Sequence, residues 1–355
     1  MKLLTIVGAR PQFIKASAFS TELKKFDNIN EVLVHTGQHF DVNMSKVFFE
    51  ELDIPKPKYN LAINNKSHGD MTGMMLSEIE KIIKIENPDW LIVYGDTNST
   101  LSGALAASKM NVKIAHIEAG LRSFNMKMPE EINRILTDRI STMLFCPTQN
   151  AKDNLLNEGF KKFNCKIVVS GDIMKDSTFL FDRLIIKPNN LRISKKFALA
   201  TVHRAENTND ITRLKGIFKA LNNIGKKMNL ILPIHPRTKK ILKSNKINTK
   251  FINIIPPVGY LNMAWLIKNC FVVLTDSGGL QKEAFFNKKF CITLRDETEW
   301  IELISNKVNF LVGANEKRIF SKFDYILKNN PDFNCDELYG RGNISKKIIE
   351  SIINY

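Results

Sequence analysis

Short runs of β-branched and other apolar residues alternate along this chain with stretches whose apolar positions recur at the helical period. This is the pattern of a parallel sheet joined by crossover helices. In the first half, strands are expected at Lys2–Val7, Glu31–His35, Asp89–Tyr94, Lys113–Ile117, Met143–Cys146 and Lys166–Val169. Helices are expected to begin near Pro11, Met44, Gly69, Ser99, Glu130 and Gln149. Pro11 suits a first helical position, because its missing N–H would be unpaired there in any case. The pattern lapses over 181–196, around Lys187-Pro188-Asn189-Asn190, and then restarts. Strands follow at Phe197–Val202, Leu230–Ile234, Ile252–Ile255, Phe271–Thr275, Phe290–Leu294 and Asn309–Val312, with a closing helix over Ile344–Ile352. The expected fold is α/β, with two Rossmann-like domains facing a cleft. The first would span 1–175, with a helix over 340–355 packing back on it, and the second 176–339. No repeat of solenoid length is present.

Composition agrees with this division. The 355 residues are too many for one ordinary core, and 44% hydrophobic with 25% charged residues describes a packed globular protein. The apolar start, Met1 to Val7, is cut short by Arg10, so no secretory signal is expected, and no run of 18 apolar residues suggests a membrane span. Five cysteines without CxxC spacing read as reduced thiols of a cytoplasmic protein, neither a disulfide framework nor a metal site. The net charge of +16 would attract anions in general: nucleic acid, anionic lipid or a phosphorylated substrate. Its basic residues are dispersed and no nucleic-acid-binding signature occurs, so a nucleic-acid partner is not expected.

Candidate chemistry concentrates where strands should end, which is where open α/β sheets bind ligands. The first strand runs into Gly8-Ala9-Arg10-Pro11-Gln12-Phe13-Ile14-Lys15, a glycine turn and helix start with two cations nearby. It is not GxGxxG, so a nicotinamide cofactor is not expected. Two further strands end in Gly95-Asp96-Thr97-Asn98-Ser99 and His116-Ile117-Glu118-Ala119-Gly120-Leu121-Arg122, and Glu130-Glu131 with Asn133-Arg134 opens the next helix. Asp96 would be explained equally well as a helix N-cap, and the acidic pair by the helix dipole. The convergence of Asp96, Glu118 and Glu130 with arginines near one rim instead suggests acid–base work, since close carboxylates separate one another's pKa values.

In the second half, His203-Arg204 follows a strand, and His235 in Pro233-Ile234-His235-Pro236-Arg237 repeats that placement. The strongest single signal is Asp276-Ser277-Gly278-Gly279-Leu280-Gln281-Lys282-Glu283 after a buried strand. Ser277, Gly278 and Gly279 could present backbone N–H groups to a phosphate at a helix N-terminus. Glu283, about one turn inside, could accept ribose hydroxyls. No metal ligand spacing is found.

Taken together, Gly8-Ala-Arg-Pro, Tyr94-Gly-Asp-Thr-Asn-Ser-Thr, His116-Ile-Glu-Ala-Gly-Leu-Arg, Pro129-Glu-Glu-Ile-Asn-Arg, His203-Arg and Thr275-Asp-Ser-Gly-Gly-Leu-Gln-Lys-Glu resemble the non-hydrolysing UDP-N-acetylglucosamine 2-epimerase family. The resemblance runs from Gly8 to Arg295 and implies the glycosyltransferase-B fold. It implies interconversion of UDP-GlcNAc and UDP-ManNAc through elimination and re-addition of UDP, for surface polysaccharide precursors, with no cofactor. Asp96, Glu118 and Glu130 would be the acid–base carboxylates. His203 with Arg10 would steady the diphosphate, Ser277, Gly278 and Gly279 would hold phosphates, and Glu283 the ribose. Lys15, Arg134, Arg204 and His235 complete the candidate substrate contacts, and a homodimer is the expected assembly.

Three departures stand out. Ala205 replaces an arginine common in the family. Gln38-His39-Phe40-Asp41 lacks the polar residues of members with a regulatory substrate pocket, which puts activation by substrate in question. Arg295-Asp-Glu-Thr-Glu-Trp300-Ile-Glu302 is similar to a branch acting on UDP-2,3-diacetamido-2,3-dideoxyglucuronate, the alternative substrate. A glycosyltransferase of the same fold is the competing class.

Overall fold

The computed structural model describes residues 1–38, 55–189, 191, 196–333, 335 and 337–355. The helix expected near Met44, and His39 to Asp41, lie outside the described residues. The chain divides into two compact units, Met1–Leu180 together with Asp336–Tyr355, and Phe181–Cys335.

In the first unit, β1 (Lys2–Val7), β2 (Asn30–His35), β3 (Tyr59–Asn60), β4 (Trp90–Tyr94), β5 (Lys113–Ile117), β6 (Met143–Cys146) and β7 (Lys166–Val169) form one parallel sheet, ordered β3-β2-β1-β4-β5-β6-β7. The described helices between them are α1 (Arg10–Leu23), α2 (His68–Glu86), α3 (Asn98–Lys109), α4 (Pro129–Ile140), α5 (Gln149–Asn157) and α6 (Ile173–Phe181). Residues such as Leu4, Ile6, Leu91 and Val93 are buried because helices cover both faces of a parallel sheet. Strand order reverses between β1 and β4, whose register pairs Leu3 with Trp90 and Thr5 with Ile92. Ligands of doubly wound sheets bind at such a reversal.

The second unit repeats the plan. Strands β8 (Phe197–Thr201), β9 (Asn229–Pro233), β10 (Asn253–Ile255), β11 (Val272–Thr275), β12 (Phe290–Thr293) and β13 (Asn309–Leu311) are ordered β10-β9-β8-β11-β12-β13, with the reversal between β8 and β11. Its helices are α7 (Ala205–Thr208), α8 (Ile211–Gly225), α9 (Pro236–Ser244), α10 (Tyr260–Asn269), α11 (Gly278–Phe286), α12 (Ile301–Ser305) and α13 (Glu316–Asn329). The final helix, α14 (Ile344–Ile353), returns to the first unit, where it lies against α1 and buries Ile344, Ile348, Ile349 and Ile352. Its start is pinned where the Ser345 backbone N–H donates to Asp176 at 2.7 Å, and Tyr355 stacks edge-on against Trp90 at 5.3 Å. The expected α/β class with two Rossmann-like halves is the observed one. Among the described residues, no helix is long and apolar enough to cross a membrane.

Candidate active site

At the first strand reversal, Gly8 is required by packing. A Cβ there would lie 2.1 Å from both Ser99 Oγ and Thr36 Oγ1, so the glycine makes room for side chains of its own unit. Gln12 then locks the turn. Its Oε1 accepts the N–H groups of Gly8 (2.8 Å) and Ala9 (3.0 Å), while its Nε2 donates to Tyr94 O at 2.9 Å. The signal was present in the sequence, because a glutamine three residues after a helix cap commonly reaches back to it.

Asp96 does not cap α3. Thr97 does, accepting the Thr100 N–H at 3.2 Å, so the explanation by capping falls away. Asp96 instead pairs with Arg134 of α4, whose other Nη lies 2.6 Å from Glu131. Asn133 Nδ2 donates to Asp96 O at 2.9 Å. Glu131 is fully buried and accepts the backbone N–H groups of Ser123 and Phe124, a structural duty that leaves half-exposed Glu130 beside it as the candidate for chemistry.

Glu118 adopts φ +74°, a conformation that costs a non-glycine residue about 1–3 kcal/mol and clusters at functional sites. Its carboxylate pairs with Lys15, which is only 6% exposed. Gly95, at φ +62°, lies against that pair: a Cβ there would sit 3.1 Å from Glu118 Oε2 and 3.5 Å from Lys15 Nζ. Lys15, Gly95-Asp96, Glu118 and Arg134 are thus one cluster at the carboxyl ends of the adjacent strands β4 and β5. Each of the two carboxylates has a cation of its own. Arg122, expected on the same rim, is buried elsewhere, bound to Asp138 (2.7 Å) and Glu158 (2.7 Å). Arg10 begins α1 and is partly exposed.

At the second reversal the organising residue is Asp276, whose role its place in the sequence does not reveal. Fully buried, it accepts the backbone N–H groups of His203 (3.0 Å) and Arg204 (3.0 Å) and the Asn207 amide (3.1 Å). It thereby ties the end of β8 to the end of β11, and leaves the His203 side chain 44% exposed with Nδ1 3.4 Å from Asp276 Oδ1. Ser277 precedes α11, and neither a side-chain cap nor an acidic residue occupies the first turn of that helix. The two glycines differ in purpose. A Cβ on Gly278 would meet Glu299 Oε1 at 2.4 Å, whereas one on Gly279 would meet nothing within 4 Å. Trp300 braces the turn, its indole N–H donating to Gly278 O at 3.0 Å, with Lys282 Nζ 4.1 Å from the ring centroid. Glu283 lies on α11, partly buried. His235 has a structural explanation: it caps α9, its Nδ1 accepting the Arg237 N–H at 3.3 Å.

The family model for UDP-N-acetylglucosamine 2-epimerase matches residues 21–353. The chain belongs to the UDP-N-acetylglucosamine 2-epimerase family. Among relatives of this epimerase, the UDP-2,3-diacetamido-2,3-dideoxy-D-glucuronate 2-epimerase of Pseudomonas aeruginosa is 54% identical over 99% of both chains. The UDP-N-acetylglucosamine 2-epimerase of Methanocaldococcus jannaschii is 45% identical over 100% of this chain and 99% of its own. The crystal structure of the M. jannaschii protein in complex with UDP-GlcNAc and UDP superposes with a TM-score of 0.90, covering 100% of each chain at 44% identity. The Neisseria meningitidis UDP-GlcNAc 2-epimerase bound to UDP-GlcNAc gives the same TM-score at 30% identity, again covering 100% of each. The epimerase family expected from the motifs is therefore the family found.

Proposed function

We propose that this epimerase inverts C2 of a UDP-linked 2-acetamido sugar without hydrolysing it, interconverting UDP-GlcNAc and UDP-ManNAc. The observation that carries the reading is the cluster of Asp96 and Glu118, each held beside its own cation at the ends of adjacent strands. The C2 proton is weakly acidic, so its removal needs a positioned base together with stabilisation of the leaving group. In this reading a carboxylate of the set Asp96, Glu118 and Glu130 takes the proton. The C2–H electron pair becomes the C1=C2 bond as the C1–O bond breaks, and UDP departs with that bonding pair. Re-addition of UDP, with a proton delivered to the opposite face of C2, completes the inversion.

The second unit would grip the nucleotide. The first amides of α11 at Gly278 and Gly279 suit phosphates, with Ser277, whose own N–H is held by Thr275 Oγ1 at 2.9 Å, offering its hydroxyl, and Glu283 suits the ribose. His203, Arg204 and Arg10 would steady the diphosphate as charge develops on it, while Lys15 and Arg134 set the carboxylates and His235 serves the substrate indirectly by capping α9. The reading needs no metal or redox cofactor. It extends to a cytoplasmic homodimer without nucleic-acid or membrane partners, and light scattering of the purified protein tests the dimer.

One observation favours a second sugar: the Pseudomonas aeruginosa relative at 54% identity acts, by its name, on the diacetamido glucuronate. Incubation with each UDP-sugar in heavy water decides reaction and substrate together. Deuterium at C2 and build-up of the C2 epimer are expected, and the faster sugar is the substrate. Absence of exchange with both would remove the proposal, and UDP release that depends on an acceptor would replace it with glycosyl transfer.

A further inference from the structure

Asp96 and Glu118 sit on turns, and proton transfer tolerates little drift in the groups that perform it. Behind them lies a buried polar cluster that the proposed reaction does not consume. His116 on β5 and Asp138 on α4 are both fully buried. Asp138 Oδ1 lies 2.7 Å from His116 Nδ1, and His116 Nε2 lies 2.7 Å from the carbonyl oxygen of Gly95, the residue before Asp96. The other oxygen of Asp138 accepts the Gly120 N–H at 3.2 Å and Arg122 Nη1 at 2.7 Å. Gly120, at φ +78°, closes the turn that Glu118 opens at φ +74°. A single carboxylate on α4 is therefore bonded directly to the Glu118 turn and, through one imidazole, to the Asp96 turn. The same helix reaches Asp96 from the other side with Arg134.

Both nitrogens of His116 face acceptors, a carboxylate and a carbonyl, so each carries a hydrogen. Burial opposes ionisation of Asp138, but its bonds to His116 and Arg122 hold the carboxyl below its ordinary value.

We propose that the buried His116–Asp138 pair is the positioning device that fixes the Asp96 and Glu118 turns relative to each other, with His116 donating from both ring nitrogens. The proposal rests on the reading of Asp96 and Glu118 as acid–base groups. His116→Gln keeps a donor near the position of Nε2 and loses the bond to Asp138, while Asp138→Asn keeps the shape and loses the charge.

The test compares both variants with the unaltered protein in C2 exchange in heavy water, UDP binding by calorimetry and thermal melting. A nitrogen-resolved NMR spectrum of the histidine rings is recorded on the unaltered protein. Exchange and kcat are expected to fall on the order of 10²-fold, as misplacement of reacting groups does, with UDP affinity and KM little changed. The ring spectrum of His116 should report two N–H groups. Unchanged exchange in His116→Gln overturns the proposal. So does a parallel loss of kcat and UDP affinity that tracks the folded fraction, which would make the pair structural only. If neither variant folds, a His116 ring with one bare nitrogen still overturns it, and one with two N–H groups sustains it. Absence of exchange in the unaltered protein with either sugar would instead count against the functional reading.

Discussion

Glu31 lies partly buried on β2, where its carboxylate accepts a hydrogen bond from Thr5 at 2.6 Å. Burial raises its pKa above the ordinary 4.5, outweighing the hydrogen bond from Thr5. A carboxyl raised in the folded state favours folding below its unfolded value and loses that contribution as pH climbs through the folded one. Glu31→Gln is therefore expected to melt higher than the unaltered protein at neutral pH, by about 2–4 °C for each kcal/mol recovered. The advantage should vanish as pH falls below 4.5; a difference independent of pH would show that ionisation is not its cause. The places of the candidate residues were largely legible, because Asp96, Glu118, His203 and the Ser277 turn all follow strands that the apolar pattern marks. Their partners were not. Nothing in the sequence couples Lys15 to Glu118, or Asp138 to His116, across the distances along the chain that the fold closes.

Elements were legible in proportion to their own periodicity. β1, β4 and β11 are continuous apolar runs and appear within a residue of their expected ends. β3 was invisible, since two residues carry no period. It is held by Glu86, which receives Tyr59 OH at 2.5 Å and Lys58 Nζ at 2.7 Å, bonds that lower the Glu86 carboxyl to about 2. The Ser277-Gly278-Gly279 turn offers a test at the same scale, because its glycines differ in environment. Gly278→Ala would push into Glu299 and disturb its 3.0 Å pairing with Arg295, lowering thermal stability. Gly279→Ala meets nothing and relieves a flexible helical glycine, so stability should rise by up to about 1 kcal/mol. Its methyl group would project into the space assigned to phosphate, and UDP affinity measured by calorimetry should drop. Equal UDP affinity in Gly279→Ala and the unaltered protein would move the phosphate site elsewhere.

At the scale of the molecule, the first unit is discontinuous: α14 comes from the far end of the chain yet packs on α1. Its isoleucines at the helical period were readable, and its return to the first domain was expected; that the helix it meets there is α1 depends on the intervening fold. Ile348 is fully buried there, and Ile348→Ala is expected to cost about 2–5 kcal/mol, read as a lowered midpoint of chemical denaturation. A loss no larger than that of an exposed position would mean α14 is not part of the first unit's core. The detour of the chain has a consequence for the order in which the molecule can be made. A ribosome that has delivered residues 1–180 has delivered every strand of the first sheet but not the helix that covers α1, and the second unit is synthesised in full before that helix emerges. Units generally fold as they appear, so the part begun first is the part finished last, with its apolar α1 face left for chaperones to guard in the interval.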